Sequence, residues 1–355
     1  MQLLAQTEIN REEWSKLVMT SATGTWFQTP EAYDFYASQP ELFKPFAIGI
    51  CNLKFETINA QSTLRAICVG YVTVEKNPIK QFFTRRAIII GGPCISDDCT
   101  DEEVIALMSA VKNFPSLQGR VGERLSSPIY IETRNFNDYS AWKGVFAKAG
   151  FEYKPHLNFH VDTSSVETVE ANLGKSRKRD IKTSIRDGAI IIEHPTVEQV
   201  REYYAILLNL YKTKVKTPLF PLSFFEALAQ HKDGRLLFVG LPKEDGSTEI
   251  IGGTACVVQE GKCLYECFVC GRDGEWKSIF PSSYATYAGI LYAAEHGMPR
   301  FDMMGAGSPD EAYGVRDFKA KFGGKEVEHG RFLCITKPLL YKIGVLGVKI
   351  LKKLK

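Results

Sequence analysis

A basic run in the middle of the chain has the residue types that bind anionic groups. The run LGKSRKRDIKTSIRDG, residues 173–188, holds six basic and two acidic residues between positions 175 and 187. At helical spacing, four of the basic residues share one face: Lys175, Lys178, Lys182 and Arg186. Since few acidic residues neutralise the run, we expect Arg177, Lys178 and Lys182 to bind a phosphate, a pyrophosphate or a nucleic-acid backbone. A solvated helix face is the alternative interpretation.

A second segment combines an acidic strand end, a glycine-rich loop and a basic helix: FDMMGAGSPDEAYGVRDFKAKFGG, residues 301–324. Strand alternation places Asp302 opposite an apolar face, near a strand end where α/β folds often build sites. An aspartate that braces the following turn fits the same pattern. The helix places Phe318 and Phe322 on a core face, which directs Arg316 and Lys319 outward or into a cleft. We expect Arg316 to bind a substrate or a phosphate there. For Lys319, a snorkelling structural lysine is the alternative.

The C-terminal residues 337–355 form a basic, apolar tail with six lysines and no acidic residue. Its apolar residues recur at three- to four-residue spacing: Leu339, Ile343, Leu346, Ile350 and Leu354. This pattern predicts an amphipathic helix in peripheral contact with an anionic membrane surface. A terminal helix docked on its own domain is the alternative interpretation.

Composition excludes several classes of protein. The 355 residues are 45% apolar and 24% charged with a net charge of +3, which indicates a soluble globular protein of two domains. The opening MQLLAQTEINREEW lacks a signal peptide, and no apolar run is long enough to span a bilayer. We therefore predict a cytoplasmic monomer with nine reduced cysteines. The cysteines of CLYECFVC lack a second pair, and we predict no metal site.

Two stretches, residues 44–162 and 235–336, share one order of elements. Each has three β-rich runs, a helix, a strand, a short helix with an aromatic-glycine pattern, and a last strand, HLNFHVD or GRFLCIT. We therefore predict an α/β protein with two similar domains. Their boundaries are 1–162 and 218–336, with an interdomain helical segment at 163–217 and the tail at 337–355.

The basic run, the unit PSSYATYAGILYAAEHGMPRFDMMG, and YGVRDFKAKFGG before a closing strand together resemble the FemABX-like acyl- and aminoacyltransferases. The resemblance covers nearly the whole chain and implies two tandem GNAT-type domains. It implies transfer from aminoacyl-tRNA or acyl-CoA to an amine of a cell-envelope precursor, which is peptidoglycan, polysaccharide or lipid, without a tightly bound cofactor. The family's lysine carries over to Lys319, and an interdomain basic residue to Arg177 or Lys178. The GNAT pyrophosphate loop is missing from both halves, which counts against standard acetyl-CoA binding.

The resemblance gives the remaining polar residues their predicted roles. Attack of an amine on an ester or thioester produces an oxyanion, which Lys319 or a backbone N–H would stabilise. Asp302 or Glu266 would accept the ammonium proton, and Tyr284 would protonate the leaving group beside Tyr287, which would contact substrate. Packing is the alternative role for both tyrosines. A non-catalytic GNAT-fold module that binds a phosphorylated glycolipid or RNA is the alternative for the whole protein.

Overall fold

The computed structural model describes residues 1–53, 62–117 and 127–353, which form two compact units. The first unit comprises Met1–His156 together with Glu328–Lys355, and the second comprises Leu157–Val327. Leu354 and Lys355 of the predicted tail lie outside the described residues.

The helices and strands follow the order that the sequence predicts in each half. The strands are β1 Gln2–Ala5, β2 Phe43–Leu53, β3 Ser62–Thr73, β4 Ala87–Gly91, β5 Cys94–Ile95, β6 Tyr130–Asn135, β7 Glu152–Lys154, β8 Leu157–Asp162, β9 Ile190–Ile192, β10 Gly234–Pro242, β11 Thr248–Gln259, β12 Cys263–Gly271, β13 Arg300–Asp302, β14 Lys325–Glu328 and β15 Arg331–Ile335. The helices are α1 Arg11–Thr20, α2 Pro30–Ala37, α3 Pro78–Thr84, α4 Asp101–Leu117, α5 Lys143–Lys148, α6 Val166–Asn172, α7 Lys175–Arg186, α8 Val197–Leu210, α9 Leu222–Gln230, α10 Pro281–Glu295, α11 Gly314–Ala320 and α12 Pro338–Lys353.

The first unit is a mixed sheet with helices on both faces. Its strand order is β1-β2-β3-β4-β6-β15-β7, and β5 pairs with β3. On one face, α4 buries Leu107 and Met108 in a core with Phe146 of α5. On the other face, α1 buries Trp14 and Val18. These apolar residues recur along α1 and α4 at helical spacing, so each helix turns one apolar side to the sheet.

The second unit is a similar mixed sheet with the order β14-β8-β13-β12-β11-β10-β9. On one face, α10 packs against β13, where Gly289 leaves the space that the ring of Phe301 occupies. On the other face, Tyr203 of α8 stacks on Phe238 of β10 with ring centroids 4.7 Å apart. The predicted fold class, mixed α/β sheets in two similar halves, is confirmed.

The last strand of each half belongs to the sheet of the other half. β15 pairs antiparallel with β6 and β7 of the first unit. β8 pairs with β13 of the second unit. The prediction that HLNFHVD and GRFLCIT close the sheets of their own halves is therefore wrong, because alternation identifies a strand without choosing its partner. The predicted boundaries at 162 and 336 differ from those of the compact units for this reason.

The predicted interdomain helical segment begins with two short helices, α6 and α7, which Leu173 and Gly174 separate. The backbone N–H of Gly174 donates to the carbonyl oxygen of Lys321 at 3.1 Å. A Cβ at Gly174 would lie 2.7 Å from that oxygen. The break therefore lets the segment after α11 approach the backbone at the start of α7.

Candidate active site

Two parallel strands of the second unit separate beside a group of buried polar side chains. Among the described residues, β12 and β13 pair at Leu264–Phe301 and Tyr265–Asp302 and then diverge. After Asp302 the chain follows β8 instead, since the N–H of Met303 donates to the carbonyl of Phe159 at 3.0 Å. At the same level, β12 bulges against β11. The divergence therefore opens a gap beside Glu266 and Asp302, the two carboxylates predicted as bases.

The matching parallel pair in the first unit does not open in this way. β4 and β6 stay paired from Ala87–Ile131 to Gly91–Asn135. The side-chain amide of Gln28 donates to the carbonyl of Ile90 at 2.9 Å, and the hydroxyl of Tyr139 donates to the carbonyl of Gly91 at 3.1 Å. Since these backbone groups are already hydrogen-bonded, the gap in the second unit is the candidate site.

The ammonium of Lys319, on α11, binds backbone carbonyl oxygens of the segment that follows β13. Its Nζ donates to the carbonyl oxygen of Met303 and, at 2.7 Å, to that of Gly305. Between them lies Met304, a non-glycine residue at φ 53, a strained conformation that needs support from its surroundings. Lys319 is buried, and burial lowers its pKa against the opposing charges of Glu266 and Asp302. An ammonium has three hydrogens, and the third has no acceptor within the described residues.

Glu266 is a buried carboxylate with one engaged oxygen. The hydroxyl of Thr254 donates to Oε1 at 3.4 Å, whereas Oε2 has no hydrogen-bond partner in the described part of the chain. Burial raises the pKa of Glu266, and the charge of Lys319 and the hydroxyls of Thr286 and Thr254 oppose the rise. A buried carboxylate with a raised pKa and an oxygen that accepts no hydrogen bond has the properties of a candidate proton acceptor.

Asp302 has the contacts of a residue that braces the following turn. Its Oδ1 accepts from the N–H of Met304 at 2.8 Å and from the amide of Asn158 at 2.7 Å. His160 Nε2 lies 3.1 Å from Oδ2. Burial opposes ionisation of this carboxyl, but His160, Arg300 and Asn158 together hold its pKa below the usual value. Asp302 therefore fits the bracing interpretation better than that of a mobile base.

Replacing Asp302 with alanine is expected to lower the free energy of unfolding at pH 7 by about 3 kcal/mol, because buried charged partners lose their carboxylate. The folded-state pKa of Asp302 is lowered, so its stabilisation is complete above the unfolded pKa of about 3.9. It is lost as pH falls through the folded pKa. Urea unfolding from pH 7 to pH 3 should show the two proteins converging. Asp317→Ala, at an exposed site on α11, is the control, and equal stability of the Asp302 variant at pH 7 would contradict the bracing role.

The aromatic-glycine motif on both sides of Lys319 holds α11 against α6 and α7. The rings of Phe318 and Phe322 lie 4.5 and 5.0 Å from the guanidinium carbon of Arg177. Gly323 has φ 77, and a Cβ there would lie 2.1 Å from the carbonyl oxygen of Asn172. A side chain at Gly323 would therefore push α11, and Lys319 with it, away from the gap.

The four predicted anion-binding residues have different surroundings. Arg177 is buried, and one nitrogen of its guanidinium donates to Asp180 at 3.0 Å, whereas its Nε has no hydrogen-bond partner among the described residues. Lys178 is half-buried, and Lys182 is exposed on α7. Arg316 donates through Nε to the carbonyl of Ala306 at 3.1 Å and supports the loop before α11. Anion binding stays a prediction for these residues, and the contacts of Arg177 and Arg316 are structural.

The two candidate tyrosines of α10 pack with the apolar core of the second unit. Tyr284 lies in the apolar core of the second unit, and Tyr287 packs against the edge of that core near Glu170 and Glu295. Burial raises the pKa of both phenols. A raised pKa makes a phenol a weaker proton donor. The packing interpretation therefore fits these positions better, and the acid role of Tyr284 stays a prediction.

Sequence reasoning missed Asn158, His160 and Thr254, which surround Asp302 and Glu266. Asn158 also accepts through Oδ1 from the N–H of Gly305 at 2.8 Å. Its alternation with His160 on β8 was a signal that polar side chains point to one face of that strand. Because the sequence pattern assigns β8 to the first half, it does not predict that Asn158 and His160 lie close to Asp302.

The cysteines of β12 are free thiols. In the part of the chain that the structure describes, no group of histidine, cysteine and acidic residues is arranged to hold a metal ion.

Residues 230–347 match the sequence model of the FemAB family. The crystal structure of FemX has the same fold, with a TM-score of 0.69 and 13% identity over 97% of this chain and 99% of that one. The chain resembles the FemABX-like proteins, in sequence over residues 230–347 and in fold over nearly its whole length. The resemblance that the sequence indicates is therefore confirmed.

Two further structures share the FemABX-like tandem fold. A tandem GNAT protein from the clavulanic acid biosynthesis pathway matches with a TM-score of 0.55 and 8% identity, over 94% of this chain and 98% of that one. The C-terminal domain of a putative lysylphosphatidylglycerol synthetase from Agrobacterium fabrum matches with a TM-score of 0.54 and 13% identity, over 94% of both chains. No curated protein matches the chain in sequence.

Proposed function

We propose that the protein is an N-acyl- or aminoacyltransferase that moves an activated acyl group to an amine of a cell-envelope precursor. The observation that carries the proposal is the buried pair of Lys319 and Glu266 where β12 and β13 diverge. Each residue keeps one polar position open: the third hydrogen of the lysine and Oε2 of the glutamate. A buried carboxylate that can accept a proton, beside a hydrogen-bond donor that can face an oxyanion, fits the needs of amine acylation.

The reaction uses each group once. Glu266 accepts a proton from the acceptor ammonium, and the free amine attacks the donor carbonyl, so that a C–N bond forms and a tetrahedral oxyanion develops. The open N–H of Lys319 stabilises that oxyanion. Collapse breaks the bond to the leaving oxygen, which receives the proton that Glu266 holds. The new amide nitrogen releases its remaining excess proton to solvent, so the net products are the amide, the hydroxyl of the spent donor and one proton.

The start of α10 is the place where a GNAT-type fold would hold the pyrophosphate of coenzyme A. Here Pro281 has no N–H to offer at the first helical position. The N–H of Ser282 donates to the carboxylate of Asp273 at 3.1 Å. Arg272 pairs with Glu249 and Glu275. Since an internal carboxylate occupies the anion-binding position, we infer that the donor is an aminoacyl ester of tRNA rather than acyl-CoA.

A basic turn beside the site fits such a donor. The π-helical residues Tyr211–Val215 and the following Lys216 form a segment that we call the lysine turn. Its three lysines, 212, 214 and 216, are exposed, and no acidic residue occurs between 203 and 225. Burial and the neighbouring Tyr313, which precedes α11, raise the pKa of Tyr211 to about 12. The lysine turn therefore begins next to the loop that joins β13 to α11, and its charge suits an RNA backbone.

Replacing all three lysines of the lysine turn with alanine is expected to weaken tRNA binding about tenfold or more at low salt. The slope of log affinity against log salt should fall by about two to three, because each lost phosphate contact removes about one released counterion. Fluorescence anisotropy with labelled tRNA measures both quantities. The matched control replaces three exposed lysines elsewhere, Lys16, Lys232 and Lys243. An unchanged salt slope would exclude the lysine turn as an RNA contact.

The acceptor and location follow from the same proposal. The proposed acceptor is an amine of a peptidoglycan, polysaccharide or lipid precursor. The proposed enzyme acts as a monomer in the cytoplasm. One structure with this fold is named the C-terminal domain of a putative lysylphosphatidylglycerol synthetase, a name that refers to an aminoacylated lipid. Among the described residues, no helix has the length and apolar character to cross a bilayer.

The function is tested by supplying donors and acceptors in parallel. The purified protein is incubated with tRNA charged with labelled amino acids or with a panel of acyl-CoA donors. Nucleotide-linked and lipid-linked peptidoglycan precursors that carry a free amine serve as acceptors. We expect label to move from tRNA to a precursor. Transfer from acyl-CoA alone would overturn the donor assignment. Binding of tRNA or precursor without transfer would support the non-catalytic alternative.

A further inference from the structure

Helix α3 of the first unit turns apolar side chains toward solvent. Ile79, Phe82 and Phe83 are 72%, 42% and 43% exposed. Their spacing of three and four residues places them on one side of the helix. The rings of Phe82 and Phe83 lie edge to face with centroids 5.1 Å apart. Two adjacent exposed phenylalanines form a surface that a soluble protein normally covers.

Helix α12 lies next to α3 and adds a second apolar row. Tyr341 holds the helix on its own unit, since its ring packs edge-on against that of Tyr130, with centroids 5.5 Å apart. At 100° per residue, Leu339, Ile343 and Leu346 lie about 140–200° around the helix from Tyr341. They are 72%, 48% and 59% exposed. The side of α12 opposite its anchor is therefore apolar and uncovered in this structure.

The chain segments around both helices are basic without acidic residues. Residues 76–96, which contain α3, hold four basic residues and no acid. Residues 329–355, which contain α12, hold seven basic residues and no acid. Along the chain, the acidic residue nearest to α3 is Glu75, which pairs with Lys80 at 2.7 Å. Two segments far apart in sequence thus bring one sign of charge to one apolar surface.

We propose that α3 and α12 together form a docking face for an anionic lipid bilayer. The apolar rows enter the boundary between headgroups and acyl chains, and the lysines and arginines pair with lipid phosphates. A second copy of the chain is a poor occupant. A two-fold contact would bring the same basic segments together, and like charges repel. The tail alone supplies half of this face, and α3 supplies the aromatic half.

Vesicle flotation with the full chain tests the docking face. Wild type should bind vesicles of phosphatidylcholine mixed with phosphatidylglycerol and be released by high salt, with little binding to phosphatidylcholine alone. Phe82→Ser/Phe83→Ser and Leu339→Ser/Ile343→Ser/Leu346→Ser should each reduce binding about tenfold. Met19→Ser, at a 46% exposed position on α1, is the matched control.

Three results would overturn the proposal. If the wild-type protein does not bind anionic vesicles, it has no such docking face. If the variants bind vesicles as tightly as the wild-type protein, the docking face does not lie on α3 and α12. If the wild-type protein is a dimer in solution and either set of substitutions makes it monomeric, the surface is an interface between two copies of the chain. Because the replaced side chains are exposed, the thermal unfolding temperature of each variant should equal that of the wild-type protein. Wild-type vesicle binding by Met19→Ser would show that removing an exposed apolar side chain elsewhere does not reduce binding. Each result is independent of the acyl transfer assay.

Discussion

Replacing Lys319 with methionine is expected to reduce the rate of acyl transfer about 10²- to 10³-fold, the effect of removing one oxyanion donor. Methionine keeps most of the length and apolar character of the side chain but cannot donate a hydrogen bond. The carbonyls of Met303 and Gly305 lose their donor as well. Initial rates with the charged tRNA and acceptor that support transfer should show a loss in kcat and little change in KM, because the open N–H acts on the oxyanion.

Lys321→Met is the matched control, since this lysine lies two residues away on the same segment and is exposed. It should retain wild-type rates. Thermal unfolding of the Lys319 variant separates chemistry from folding. A protein that unfolds at the wild-type temperature and still loses kcat supports a role in the reaction. Full turnover by Lys319→Met would remove Lys319 from the mechanism and leave it as a support for the strained Met304.

Replacing Glu266 with glutamine is expected to lower kcat about 10²- to 10⁴-fold, the usual contribution of a general base. Burial raises the pKa of Glu266, so the wild-type rate should rise with pH through that raised pKa as the base ionises. The lowered pKa of Lys319 should bring the rate down again when the lysine loses its proton. The glutamine variant should lack the acidic limb of this profile.

The substitution Glu266→Gln is also expected to keep or raise the free energy of unfolding while it lowers kcat. A carboxyl whose folded-state pKa is raised binds more protons in the folded state, so folding becomes less favourable as pH rises above the unfolded pKa. Glu266→Gln removes that cost, and its free energy of unfolding at pH 7 should equal or exceed that of wild type. Glu260→Gln, at an exposed turn, is the control for both measurements. If Glu266→Gln is stable and its rate still rises with pH as in the wild-type protein, another residue is the general base.

The order of helices and strands follows from the sequence because hydrophobic periodicity is local. Alternation marked β10, β11 and β12, and helical spacing marked α4 and α10. The partners of β8 and β15 could not be predicted in the same way. Both are short apolar strands, and the choice of sheet depends on contacts between residues more than a hundred positions apart, such as Arg331 and Arg134.

The site was partly predictable for a related reason. Lys319, Asp302 and Glu266 stand in recognisable segments, and the structure brings them together in the second unit. Arg177 is predicted to bind an anion because it lies in the basic run. Its burial depends on Phe318 and Phe322, and those contacts are invisible to a local pattern. The one local sign was Asp180, placed one helical turn after Arg177, where an ion pair removes the need for a bound anion.

The exchanged strand β15 has a consequence for the order in which the chain folds during synthesis. About 170 residues of the second unit separate His156 from Glu328. At 5–20 residues per second, a ribosome needs roughly 10–35 s to make them. Throughout this interval β6 and β7 lack the strand that lies between them. The second unit is continuous in sequence and can complete its sheet first, so the N-terminal unit is expected to finish folding last.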